Sequence, residues 1–227
     1  MTIQGRAAEF GSPAESVHVT DLLPRFGKSR LGSRFGLCKR GFDVGVSVFV
    51  ILPLLLPIGL LVLVLNPFFN KGPLFFVQRR MGAGCQPFLA IKFRTMRPAD
   101  SVTRAANDPL ESDRITPLGA VLRKLRIDEL PQILNVINGD MSLIGPRPDF
   151  FDHAVTYIDT IPRYRHRHQI RPGISGLAQT EIGYVQSIRE TRRKVSADLY
   201  YIRHASLRLD AWIVWRTLVT VLLRRGA

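Results

Sequence analysis

Apolar residues crowd one part of this chain and are widely spaced elsewhere. Residues 44–65 are apolar almost throughout, broken by Ser47, two glycines (Gly45, Gly59) and two prolines (Pro53, Pro57). That length is what a helix needs to cross the hydrocarbon of a bilayer. Prolines within it remove backbone donors and bend a helix. Basic residues stand on both sides, Lys39 and Arg40 before it and Lys71, Arg79 and Arg80 after it. A straight span would put one of these flanks on the side the positive-inside rule disfavours. The block therefore reads as a broken re-entrant helix, interrupted at Pro53 or Pro57, with both ends cytoplasmic. A straight span and a buried core helix are the alternatives, the latter opposed by apolar residues on every face.

After the block the period shortens. Residues 74–78 and 88–93 are β-prone runs separated by Met81-Gly82-Ala83-Gly84, which predicts a hairpin. Residues 97–113 are polar without period and read as a loop. Thr116-Pro117 is a helix start, cap then proline, and Leu118, Val121, Leu122 and Leu125 follow at helical spacing. A second apolar-patterned segment, 130–137, stops at Asn138-Gly139. At the far end, residues 206–225 mix Trp212 and Trp215 with arginines on an amphipathic helical pattern, as expected of an interfacial helix. The predicted fold is α+β and mostly helical. It divides into a disordered basic tail (1–36), the membrane helix (37–70) and a cytosolic catalytic domain (71–227) ending in that amphipathic helix.

Charge narrows the partners. The 227 residues carry a formal net charge of +14, which suits anionic lipid or phosphorylated substrates. Nucleic acid is disfavoured because its binders rarely carry a long apolar block. Two cysteines, Cys38 and Cys85, have neither metal-ligand spacing nor the density of a disulfide framework, so a reducing environment is expected. No secretory signal pattern is apparent in the first thirty residues.

The candidate chemistry sits between the two helical segments. Arg123, Lys124 and Arg126 precede the adjacent carboxylates Asp128 and Glu129, and Pro131 follows. Taken alone, Asp128 reads as a helix cap. At a helix junction beside three cations it also reads as a nucleophile, base or metal ligand facing an anionic substrate. Two further punctuated motifs carry arginines, Gly145-Pro146-Arg147-Pro148 and Arg171-Pro172-Gly173-Ile174-Ser175-Gly176. Proline stiffens the backbone around Arg147 and Arg171, and guanidinium geometry suits phosphate. The run Arg163-Tyr164-Arg165-His166-Arg167-His168 reads as a solvated or lipid-facing basic surface. No Gly-rich dinucleotide fingerprint or P-loop occurs.

Taken in order, Lys39-Arg40-Gly41-Phe42-Asp43, Lys71-Gly72-Pro73, Lys92-Phe93-Arg94-Thr95-Met96, Leu122-Arg123-Lys124, Asp128-Glu129-Leu130-Pro131-Gln132, Asn138-Gly139-Asp140 and the two Pro-Arg motifs resemble the bacterial sugar transferase family. These are monotopic polyprenyl-phosphate phosphoglycosyl transferases. The resemblance implies transfer of a sugar 1-phosphate from a UDP-sugar to undecaprenyl phosphate at the cytoplasmic face of the bacterial inner membrane, initiating exopolysaccharide or related glycan synthesis. It implies Asp128 as nucleophile through an aspartyl phosphosugar intermediate, Glu129 helping to hold Mg²⁺ with Asp128, Arg123 and Arg147 around the substrate phosphates and Lys92 in the site; Arg171 is a substrate-binding candidate from its proline setting alone. Anionic lipid is the expected surface partner, and a homo-oligomer is compatible with all of this. The competing expectation is a non-catalytic basic adaptor at the membrane. The chain departs from the family where Leu52-Pro53 and Leu56-Pro57 replace the usual Ser-Pro break, and after Gly176, where many relatives continue Asn-Gly-Arg.

Overall fold

The computed structural model describes residues 33–98, 111–183 and 187–222. Most of the expected basic tail and of the loop 97–113 lies outside them. The described chain is mostly helical, with two small two-stranded sheets.

Helix α1 (Ser33–Val46) runs into α2 (Leu52–Phe69) through a single wide turn, Ser47–Ile51, where the Leu52 N–H donates to the Ser47 carbonyl five residues back. The wide turn falls directly ahead of Pro53, which lies in the first turn of α2 and has no N–H to give. The chain stays helical through the expected break, and Pro57 and Pro67 are carried inside α2. The helix Phe35–Phe69 is long and apolar enough to cross a membrane, and almost none of its most apolar window is buried. That exposure removes the core-helix alternative.

Both ends of this helix are tied to the same body. At the start, Lys39 Nζ donates to Asp210 Oδ2 (2.7 Å), Arg40 to the carbonyls of Val136 (2.6 Å) and Ile137 (3.1 Å), and Ser142 Oγ to Asp43 Oδ2 (2.5 Å). At the finish, Asn70 Nδ2 donates to the Arg94 carbonyl (2.8 Å) and Thr116 Oγ1 to Asn70 Oδ1 (2.9 Å). Between these ends, Ile51 and Leu55 pack on Ile133, Val136 and Met141, while Ile58 and Val62 pack with Phe93 and Leu122.

The expected hairpin is present as β1 (Phe75–Met81) and β2 (Pro87–Phe93), antiparallel with Phe76 opposite Lys92 and Arg80 opposite Phe88. Helix α3 (Pro117–Lys124) starts as its sequence predicts, Thr116 Oγ1 accepting from the Gly119 N–H (3.0 Å). Its apolar face buries Leu122 but leaves Val121 exposed. A tight helical turn, Ile127–Gln132, leads into α4 (Ile133–Asn138), which ends at Gly139 with φ 100°.

Two motifs far apart in sequence meet as a parallel pair, β3 (Ser142–Ile144) and β4 (Gly173–Ser175). A Cβ at Gly173 would lie 2.1 Å from the Gly145 nitrogen, and one at Gly176 would lie 2.2 Å from the Gly145 oxygen. Only glycine permits that approach. Around the pair, α5 (Phe151–Thr160), α6 (Leu177–Glu181), α7 (Ile188–His204) and α8 (Leu207–Leu222) complete the body. Ile144, Leu177, Tyr201, Leu209 and Ile213 form its main core. Helix α8 buries Leu209 and Ile213 yet exposes Leu207, Trp215 and Leu218, so it packs on the body and still presents an apolar face.

The basic run 163–168 is not the surface its composition predicts. Arg167 is 1% exposed and His168 is buried. Arg167 is consumed by two acids, pairing with Asp198 (2.8 Å) and with Asp149. Arg163, Arg165 and His166 do remain exposed.

Candidate active site

One face of the hairpin is a cavity wall. Phe76, Gln78 and Arg80 alternate along β1 and share that face with Lys92 of β2. The opposite wall is the Ile127–Gln132 turn, and the cavity between them measures about 630 Å³. Arg126 enters this turn with φ 57°, a left-handed conformation unusual for a residue with a side chain. The reversal sets Asp128 and Glu129 on the cavity side, with Arg123 and Arg126 also lining it.

Glu129 is 5% exposed and fully engaged. Lys92 Nζ donates to its Oε1 at 3.0 Å, and the Arg147 guanidinium grips both oxygens, with Nη1 at 2.9 Å from Oε2. Burial would raise this carboxyl, but Arg147 and Lys92 overcome it and hold Glu129 well below the usual carboxylate range. Burial lowers Lys92 to about 8, with Glu129 opposing.

Asp128 differs in every respect. Its Oδ1 is buried without a hydrogen-bond partner among the described residues. Burial, then the neighbouring Glu129 charge, pushes its carboxyl up, against Lys92, Arg147 and Arg123. It caps neither the turn nor α4, whose flanking residues are Arg126 and Gln132. The cap reading therefore fails. Two adjacent carboxylates occupy different states: one locked in an ion-pair clamp, the other poorly satisfied and facing the cavity.

A second charge system lies behind the first. Pro148 separates Arg147 from Asp149, whose carboxylate accepts from Lys194, Arg167 and the Tyr164 hydroxyl (2.6 Å to the last). Arg167 also donates to the Arg147 carbonyl (2.7 Å). Asp149 and Lys194 both line the cavity. Sequence reasoning missed them. Asp149 directly follows a motif that was singled out, but Lys194 is indistinguishable in sequence from Arg192 and Arg193 beside it.

Lys92, Arg123, Asp128, Glu129 and Arg147 are brought together here. Arg171 is not: exposed and outside the cavity lining, it donates to the Gly139 carbonyl (2.8 Å) at the end of α4. Pro53 and Pro57 lie along the long apolar helix, also outside the cavity lining. No group of three or more His, Cys, Asp or Glu side chains suited to a metal occurs among the described residues. Asp128 and Glu129 are the adjacent carboxylates available to one.

The model of a family described as "Bacterial sugar transferase" matches residues 34–224. The chain belongs to the bacterial sugar transferase family. It is 44% identical over 194 residues to a UDP-N-acetylgalactosamine-undecaprenyl-phosphate N-acetylgalactosaminephosphotransferase of Aeromonas hydrophila, covering 85% of this chain and 45% of that relative. A UDP-glucose:undecaprenyl-phosphate glucose-1-phosphate transferase of Caulobacter vibrioides is 40% identical over 82% of this chain and 70% of its own length. An exopolysaccharide production protein of Rhizobium leguminosarum is 37% identical over 82% and 96% respectively. The chain thus spans under half of the first relative and nearly all of the third. The two named transferases carry different sugars in their names, N-acetylgalactosamine and glucose.

Proposed function

We propose that this family member transfers a sugar 1-phosphate from a UDP-sugar to undecaprenyl phosphate at the cytoplasmic face of the inner membrane, initiating exopolysaccharide or related glycan synthesis. The observation that carries this reading is the contrast within the carboxylate pair. Asp128 lines a cation-rich cavity and has a buried oxygen without a hydrogen-bond partner among the described residues, while Glu129 is held ionised by Arg147 and Lys92. The first is a group kept reactive and the second a group kept in place.

In the proposed sequence an Asp128 oxygen attacks the phosphorus bonded to the sugar. The bond from that phosphorus to the bridging oxygen breaks, and UMP leaves with the electron pair. An oxygen of the acceptor's phosphate then attacks the same phosphorus, restoring the Asp128 carboxylate and leaving the phosphosugar on the lipid. Approach of a carboxylate to a diphosphate requires neutralisation of the phosphate charge, which Arg123, Arg126 and Lys92 are placed to supply. Mg²⁺ fits a site of this kind, since it binds through one or two carboxylates plus substrate phosphates. Asp128 would hold it first and Glu129 would join by exchanging one of its Arg147 or Lys92 contacts, and the ion would neutralise phosphate charge when bound.

The membrane seat rests on the exposed apolar helix, tied at both ends to one body, and on the exposed tryptophan and leucines of α8. This attachment fits a re-entrant helix, with anionic lipid meeting the surrounding basic residues. The test is UMP release from a panel of UDP-sugars, with and without undecaprenyl phosphate. We expect about one equivalent of UMP per enzyme without acceptor, and turnover with it. Asp128→Asn is expected to abolish both, by about a thousandfold or more. UMP release at the wild-type rate by that variant would overturn the mechanism.

A further inference from the structure

The cavity extends well beyond the carboxylates. Arg80 forms an isolated bridge with Phe150 and donates to the Pro148 carbonyl (2.5 Å). Its place in the register is four residues from Phe76, the partner of Lys92. Along a strand that is roughly 13 Å. The cavity lining thus continues from Lys92, Asp128 and Glu129 past Arg80 into a further chamber beside the start of α5.

That chamber has a different chemistry. Phe150, His153 and Tyr157 recur at helical spacing and form an aromatic wall, the rings of Phe150 and His153 meeting edge to face at 5.0 Å. Tyr157 is backed by Tyr164 (5.4 Å), itself fixed by Asp149 and fully buried. Gln179 of α6 also lines the cavity, and its Oε1 is buried without a hydrogen-bond partner among the described residues. A buried, unanswered amide oxygen costs stability unless something binds it.

We propose that this chamber holds the nucleobase of the donor, with Gln179 reading the edge of a uracil stacked on the α5 aromatic wall. The inference rests on the UDP-sugar reading above and goes further by placing the base. In a nucleoside diphosphate sugar, one phosphate, the ribose and its glycosidic bond separate the base from the attacked phosphorus. The sugar, bonded directly to that phosphorus, belongs beside the carboxylates and the base belongs in the further chamber. A primary amide carries one acceptor and two donors, so it matches the N3–H and a neighbouring carbonyl of uracil. A glutamine amide turned end for end also pairs with the N3 and amino group of cytosine, so the discriminating base is N3-methyluracil, which has lost the N3–H and carries a methyl against the amide. The aromatic wall, by contrast, accepts any planar base.

The two elements therefore fail differently when altered. The full chain in detergent is titrated calorimetrically with UMP and with its N3-methyl analogue, and donor KM is measured alongside. Gln179→Leu is expected to weaken UMP about tenfold while leaving the N3-methyl analogue nearly unchanged, so that the preference collapses. Tyr157→Ala and His153→Ala are expected to weaken both nucleotides, by about tenfold, and to preserve their ratio. Thermal midpoints close to wild type show that each variant is folded, and the α5 variants keep the test open should Gln179→Leu fail to fold. If Gln179→Leu keeps the UMP preference, or instead alters discrimination between UDP-sugars at unchanged UMP affinity, the placement is overturned. Wild-type protein that binds UMP but releases none from any UDP-sugar would refute the transferase reading and leave the base site standing.

Discussion

Arg147 and Asp149 flank a single proline yet answer to different partners, Arg147 to Glu129 and Asp149 to Arg167 and Lys194. A buried charge is costly to strip of its partner, because the remaining ion stays desolvated. Arg167→Met should therefore lower stability by about 3–5 kcal/mol, leaving Asp198 and Asp149 uncompensated. Arg165→Ala, in the same run but exposed, should leave the melting temperature unchanged. Thermal unfolding of the two variants side by side checks this, and equal shifts would refute it. His168 next door gives a pH dependence. Burial, with the Arg167 charge, holds its imidazole down to about 4 from an ordinary 6.5, while Asp149 opposes and Lys194 adds to the lowering. Its folded-state pKa lies below the unfolded one, so the unfolded chain takes up the proton first. The neutral imidazole's contribution is complete above about 6.5 and is lost as pH falls towards 4. His168→Gln should flatten the melting temperature against pH across that window, and an unaltered slope would contradict the assignment.

At the level of elements, the close approach of β3 and β4 invites the sharpest substitution. Gly176→Ala would press a methyl against the Gly145 oxygen at 2.2 Å, and the neighbour is backbone that cannot yield cheaply. We expect a loss of roughly 2–4 kcal/mol and displacement of Arg147, whose nitrogen is 3.6 Å from the same position. Reduced UMP release together with a lowered melting temperature would bear this out, and a variant of wild-type stability would not. The pairing was also the least legible part of the sequence. Each strand is three residues long, too short for a period of two to declare itself, and the partners stand about thirty residues apart. Long or locally encoded features were readable: the hairpin from two β-prone runs around glycines, α3 from Thr116-Pro117, the apolar helix from its length. The cluster of Asp128, Glu129 and Arg147 was legible only as motifs in order. Nothing local distinguishes Arg147, which reaches the cavity, from Arg171, which caps a helix end at Gly139. Gln179 was unreadable for a related reason, since an unsatisfied amide is a property of surroundings rather than of sequence.

Taken whole, the molecule hangs an apolar helix across one side of its body by polar fastenings at both ends. Cys38, exposed near the start, and a cysteine introduced as Lys71→Cys near the finish should then face the same side of a membrane. With Cys85→Ser as background, an impermeant maleimide on sealed inverted vesicles should label both positions from outside. Labelling of one only would mean that the helix spans. The same fastening has a kinetic consequence. The cavity lining at Pro73, Phe75 and Phe76 begins just after the helix ends, so a helix seated in lipid would fix the height of that part of the cavity above the hydrocarbon. On the proposed reaction, encounter with the lipid acceptor would then be a search in two dimensions rather than three. Its rate is governed by the mole fraction of acceptor in the bilayer, and diluting vesicles at constant composition leaves it unchanged.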